Sequence, residues 1–202
     1  TDNSYEEFMQ AMESLQKQGL QSLIFDLRGN GGGFMNEAVD MADEFLEGDK
    51  LVVYTQGVNS KKREYRCKRP GLFEKGKLVL LVDELSASAT EVLAGALQDW
   101  CRATIIGRRT FGKGLVQEQY PLSDGSALRL TVARYYTPLG RSIQRSYGKG
   151  KKVYMDDLWK RYNSGEMLSA DSLKNHNGGK KFTTRCNDTL YGGDGITPNV
   201  FV

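Results

Sequence analysis

The sequence is that of an α/β protein with a mixed, mostly parallel sheet flanked by helices. Three observations carry this expectation. Residues 77–83 contain Leu-Val-Leu-Leu-Val with no polar interruption, the pattern of a strand covered on both faces. A Ser/Ala stretch, a helical period to about Trp100 and another apolar run at 103–107 follow it, giving a β-turn-α-β rhythm. The same order of strand, glycine loop and helix occurs earlier, between residues 20 and 48.

The elements follow in order. Residues 5–19 place Phe8, Met12 and Leu15 at helical spacing among Glu, Gln and Lys, with Asn3 or Ser4 as cap and Gly19 as terminator. Residues 20–27 read as a short buried strand ended by Arg28-Gly29-Asn30-Gly31-Gly32-Gly33. Ala38, Met41, Ala42, Phe45 and Leu46 then restore a helical period up to Gly48. A strand at 51–54 precedes a charged segment at 61–67, expected as an exposed edge strand or a loop. Shorter strands are expected at 115–120, 127–132 and 134–137, with Ser123-Asp124-Gly125 as a turn. Past Arg145, charged and glycine-rich stretches flank one short helix near 155–162. Residues 145–190 are expected to form a surface excursion from a single domain covering 1–202.

Composition narrows the function. The chain has 202 residues, of which 39% are apolar and 26% charged, enough to bury one good core. Its longest apolar runs are strand-sized, so no membrane segment is expected. The formal charge of +3 is mild. The clusters Lys61-Lys62-Arg63 and Lys149-Gly150-Lys151-Lys152 come without an aromatic platform or nucleic-acid motif, and read as solvated loops rather than a nucleic-acid site. Cys67, Cys101 and Cys186 form no C-x-x-C pair, and with a single histidine they argue against a metal site; no cofactor is expected. An odd number of cysteines leaves at least one thiol free, with pairing of the other two open. The start Thr1-Asp2-Asn3 has neither initiator Met nor leader, as expected of a processed protein or a piece of a longer one.

Ser88 and Lys113 are the candidates for chemistry. The one histidine, His176, lies in a polar, glycine-bearing stretch, so a serine nucleophile would lack its usual base and lysine is the best remaining candidate. Ser88-x-x-Glu91 is also a capping-box pattern, which alone explains a serine at a helix start. The same position after a parallel strand lies at the carboxyl edge of the sheet, where helix N-H groups favour a developing oxyanion. Lys113 sits between Gly112 and Gly114, and a lysine acts as base only when neutral, a state that burial favours; Phe111, Leu115 and Val116 are expected to supply an apolar setting. The glycine loop after Leu27 reads equally as a tight crossover or as a set of N-H donors to a substrate carbonyl. Two nucleotide motifs fail on inspection. Residues 107–114 nearly match a P-loop, but Gly114 replaces the Ser/Thr and a strand follows; Phe34 replaces the third glycine of a dinucleotide fingerprint.

Asp26-Leu27-Arg28-Gly29-Asn30-Gly31-Gly32-Gly33, Ser86-Ala87-Ser88-Ala89-Thr90-Glu91 and Thr110-Phe111-Gly112-Lys113-Gly114-Leu115-Val116-Gln117 together resemble the C-terminal processing peptidases, or tail-specific proteases. The match continues through Thr137-Pro138-Leu139-Gly140-Arg141-Ser142-Ile143 and Gly195-Ile196-Thr197-Pro198-Asn199-Val200. The resemblance implies a ClpP/crotonase-like core of repeated β-β-α units and a serine endopeptidase cutting near the C-termini of proteins bound as extended strands. It implies Ser88 as nucleophile, Lys113 as base and Gln117 as the group orienting the lysine amine. The oxyanion hole would be made by the N-H groups of Ala89 and of Gly33, chosen over Gly32. It further implies a bacterial periplasm or cell envelope, and a PDZ domain before the core that this chain is expected to lack. The alternative is a non-catalytic peptide-binding module of the same fold. Oligomeric state cannot be read from the sequence.

Overall fold

The computed structural model describes residues 3–148, 150–169, 171 and 179–202; His176 lies outside them. The first half runs α1 (Ser4–Lys17), β1 (Ser22–Asp26), α2 (Met35–Asp43), β2 (Leu51–Gln56), β3 (Arg63–Arg66), β4 (Lys77–Val82) and α3 (Ala89–Asp99). The second half runs β5 (Thr104–Gly107), β6 (Leu115–Pro121), β7 (Ala127–Tyr136), α4 (Gly150–Met155), α5 (Asp157–Asn163), β8 (Lys181–Thr183), β9 (Thr189–Tyr191) and β10 (Val200–Phe201).

Parallel and antiparallel strands separate into two four-stranded sheets, and β8 and β9 form a small antiparallel pair of their own. The first has the order β1-β4-β5-β10 with every pair parallel, Ile24 lying opposite Val79 and Leu81 opposite Ile106. The second is antiparallel, in the order β3-β2-β7-β6. The two segments expected at 127–132 and 134–137 are one strand, because β7 changes neighbour along its length. It pairs with β6 through Arg134 and with β2 from Arg134 to Tyr136. Ala133, where the sequence pattern breaks, is a buried position inside the ladder rather than a gap.

Helix α3 packs against β2 of one sheet and β5 of the other. All of its residues are buried, so it has no solvent face to which polar groups can retreat. Each polar side chain therefore needs a partner. Asp99 forms a 2.7 Å ion pair with buried Arg141, and Gln98 donates to the Thr197 carbonyl at 2.8 Å. In the same core, Phe8 of α1 stacks on Phe25 at 5.5 Å and meets Phe45 edge-on at 5.7 Å. Of the stripe read in the first helix, Met12 is buried and Phe8 half-buried, whereas Leu15 is exposed.

The segment after Arg145 differs from the expected surface excursion. Arg145, Arg161, Glu166 and Thr184 are buried, and the short helix read near 155–162 is a pair, α4 and α5. A disulfide joins Cys101, just past α3, to Cys186 between β8 and β9, with Cα atoms 6.4 Å apart and a sequence separation of 85. Cys67 is the free thiol; burial, aided by the neighbouring Asp43, pushes its pKa up to about 12. Such a thiol is a poor nucleophile. Reducing the disulfide should destabilise the protein by about 2–4 kcal/mol, because a long loop is freed in the unfolded chain. Urea unfolding with and without reductant, with Cys101→Ser as the reference, measures this; superimposable curves would contradict it.

Candidate active site

Because β1, β4 and β5 are adjacent and parallel, the loops leaving their carboxyl ends emerge at one edge of the sheet. These are the glycine loop, the turn holding Ser88 and the loop holding Lys113. Hydrogen bonds cross-link them. The Asp83 carboxylate accepts Gly29 N-H at 2.9 Å as well as the N-H groups of Leu85 and Ser86. The Ser86 hydroxyl donates to the Leu27 carbonyl at 2.8 Å, while its own carbonyl accepts Phe111 N-H at 2.9 Å. At the base of the glycine loop, Arg28 pairs with Asp26 at 2.7 Å, and that hydrogen bond holds the Asp26 carboxyl down at about 2.

Ser88 is the N-cap of α3 with φ 60° and ψ −119°, a conformation that costs a non-glycine residue of order 1–3 kcal/mol. Surrounding bonds impose it. Ala87 N-H donates to the Asn30 carbonyl at 3.0 Å, and Ser88 N-H donates to Glu91 Oε2 at 2.9 Å. Glu91 N-H in turn donates to the Ser88 backbone carbonyl at 2.9 Å. The result is a sharp turn that leaves Ser88 half-buried at the head of a buried helix.

Glu91 holds this turn to the lysine loop. Its Oε2 accepts Lys113 N-H at 2.8 Å as well as Ser88 N-H, and its Oε1 accepts the Thr110 hydroxyl at 2.5 Å and Gly112 N-H at 2.7 Å. One fully buried carboxylate therefore fixes both backbones. Burial raises its pKa above the usual 4.5, with the four donors pulling the other way. The S-x-x-E spacing showed only the local half of this role.

The glycine loop lies against the Ser88 turn. At Gly32, φ is +84° and a Cβ would fall 2.4 Å from the Ala87 carbonyl oxygen and 2.7 Å from Ala89 N, so no side chain fits there. Gly32 N-H is already donated to Asn30 Oδ1 at 2.9 Å. Gly33 N-H has no hydrogen-bond partner among the described residues, and Ala89, first in α3, has no helical acceptor for its N-H. Both residues line a cavity of about 400 Å³ whose apolar wall includes Phe8, Phe25, Leu27, Met41 and Leu93.

The apolar setting expected around the lysine is not present. Its side chain is exposed, and Phe111, expected to help enclose it, packs instead edge-on against Tyr154 at 6.1 Å. Gln117, exposed on β6, makes no hydrogen bond to Lys113 among the described residues. The Ser88 and Lys113 backbones are thus tied through Glu91, the glycine loop lies against the Ser88 turn, and Lys113 and Gln117 are exposed.

Residues 1–151 match the model of Peptidase family S41. The chain belongs to this family. Among relatives of this S41 chain, the carboxyl-terminal-processing protease of Synechocystis is 40% identical over 143 residues, 71% of this chain and 33% of that protein. The carboxy-terminal-processing protease of Bartonella bacilliformis is 35% identical over 186 residues, 90% of this chain and 43% of that protein. The S41 chain therefore spans between a third and under half of these curated relatives. Among solved structures, a photosystem II D1 C-terminal processing protease superposes over 100% of this chain and 40% of its own, with a TM-score of 0.71 and 31% identity. A putative S41 protease from Bacteroides fragilis covers 83% of this chain and 46% of its own, with a TM-score of 0.60 at 14% identity, a likeness of fold alone. The S41 chain thus has the ClpP/crotonase-like α/β fold, its parallel sheet accompanied by an antiparallel one.

Proposed function

We propose that the chain is the catalytic part of a serine endopeptidase that cuts protein substrates near their C-termini. Ser88 is the nucleophile, Lys113 the general base, and Ala89 and Gly33 N-H form the oxyanion hole. The observation that carries this reading is the shared carboxylate oxygen of Glu91, which takes the N-H of Ser88 at 2.9 Å and of Lys113 at 2.8 Å. Two residues 25 apart in sequence are thereby held at one site.

The chemistry follows from these positions. Neutral Lys113 takes the hydroxyl proton as Ser88 attacks the scissile carbonyl, the two N-H donors receive the oxyanion, and the proton passes to the departing amine. Water, activated by the same amine, then releases the acyl group. Strand β6 is an edge of its sheet and begins two residues after Lys113, so a substrate strand added along it would cover the lysine and remove water from the amine. Gln117 on that strand would then orient the amine. The apolar cavity beside Gly33 and Ala89 suits an apolar substrate side chain next to the cut bond.

The exposed Lys113 favours a second reading, a peptide-binding module of this fold without turnover. A fluorophosphonate probe with peptide mapping, and cleavage of an unstructured protein with chelator present, separate the two. The protease reading expects label on Ser88 and chelator-resistant cleavage; binding without label or cleavage would leave the module. No helix among the described residues is long and apolar enough to cross a membrane. The Cys101–Cys186 disulfide supports an oxidising compartment, and we place the protein in a bacterial cell envelope.

A further inference from the structure

The loop that presents Lys113 is held from both sides by different parts of the chain. Its N-H groups face the core. Those of Thr110 and Phe111 go to the carbonyls of Ile196 and Ser86 at 3.0 and 2.9 Å, those of Gly112 and Lys113 to Glu91, and that of Gly114 to Gln144 Oε1 at 2.9 Å. Its carbonyls face the segment that begins at Arg145. Arg161 donates to the carbonyls of Arg109 and, at 3.0 Å, Thr110; Arg145 donates to Phe111 through its guanidinium at 3.0 Å and to Gly112 through its backbone N-H at 3.1 Å. Four successive carbonyls leading to Lys113 are thus held by two arginines.

The arginines are fixed in turn. Glu166 accepts Arg161 Nε at 3.0 Å and both Nε and Nη2 of Arg109 at 2.7 and 3.0 Å, all three side chains being buried. Arg145 lies 4.1 Å from the ring centres of both Phe111 and Tyr154 and pairs with Asp157 at 2.8 Å. Gly112 has φ +84°, and a Cβ there would come within 3.1 Å of Arg145 Cβ, so the bend before the lysine is shaped against this arginine. A surface excursion needs no such construction. Buried guanidinium forks aimed at main-chain carbonyls are a means of fixing a backbone path.

We propose that residues 145–166 brace the base loop, with Arg145, Arg161 and Glu166 as positioning residues that set Lys113 against Ser88. The proposal rests on the reading of Lys113 as base. The Lys113 residue is exposed, and among the described residues its hydrogen bond is made by its backbone. The brace supplies the carbonyl half of that hold, and displacement of a reacting group by about 1 Å can cost on the order of a hundredfold in rate.

Arg161→Lys and Arg145→Lys test it, because each keeps the charge and loses the fork. In the folded variants kcat for an unstructured protein substrate should fall roughly 10- to 100-fold with KM within about twofold. The ascending limb of the pH profile should move, and amide hydrogen exchange across 110–114 should quicken. A merely structural arginine would lower the unfolding midpoint and leave kcat and the pH profile unchanged below it. Wild-type kcat and exchange in both variants, with Lys113→Ala inactive, would remove the brace and keep the base. Cleavage retained by Lys113→Ala would remove the base reading and the catalytic part of this proposal, whatever the exchange shows.

Discussion

Ser88→Ala should lose fluorophosphonate labelling and protein cleavage, with a fall in kcat of at least about a thousandfold, and Lys113→Ala should fall by a similar amount. The reason is that in the proposed mechanism serine and lysine act as one unit. An unionised hydroxyl is a weak nucleophile, and a free amine with no hydroxyl to deprotonate has no task. The double variant Ser88→Ala/Lys113→Ala should therefore be no slower than either single one, whatever residual rate the oxyanion donors sustain. Steady-state kinetics on the three variants measure this, with circular dichroism to show that each is folded. Cleavage retained by Ser88→Ala would refute the nucleophile. Fully multiplicative losses would refute the unit.

Glu91→Gln should be nearly as damaging by a different route. The carboxylate accepts four donors, Ser88 N-H, Lys113 N-H, Gly112 N-H and the Thr110 hydroxyl. A carboxamide offers one oxygen and sets an NH₂ against the donors at the other position, so the Ser88 and Lys113 backbones lose their shared tie. We expect a fall in kcat of about a hundredfold; a wild-type kcat would exclude the clamp. The pH dependence separates activity from stability. Since burial raises the folded-state pKa of Glu91 above 4.5, its contribution to stability is fullest below that unfolded value and declines as pH rises through the folded one. Activity runs the other way, because only the ionised form accepts all four donors. Over this window the protein should gain activity while losing part of its stability, and Glu91→Gln should abolish both trends.

Strands β1, β4 and β5 of the parallel sheet were legible because each is short and apolar and runs straight into a loop of unusual residues, as Leu81-Val82 runs into Ser86-Ala87-Ser88, whereas the two-residue β10 carries no such pattern. The converging loops followed from that order. The division into two sheets was not, since β7 reads as two strands until its change of neighbours is seen. Glu91 was legible only as a cap, because its other partners lie 19 to 22 residues onward. Arg161 and Glu166 look like ordinary surface charges in sequence. Their burial depends on Arg109, more than fifty residues away, and pairwise charge compensation across that distance leaves no local pattern.

Helix α3, buried along its whole length, carries a consequence for how such a protein can vary. In an ordinary amphipathic helix tolerance to substitution rises every third or fourth residue, where the outer face turns toward water. Residues Ala89 to Asp99 have no outer face. Neutral drift has nowhere to enter, and any change in this helix demands a matched change in α2 or in one of the two sheets it packs against. Because Ser88, the proposed nucleophile, caps that helix, the part of the molecule closest to the proposed chemistry is also the part with the fewest acceptable neighbours in sequence space.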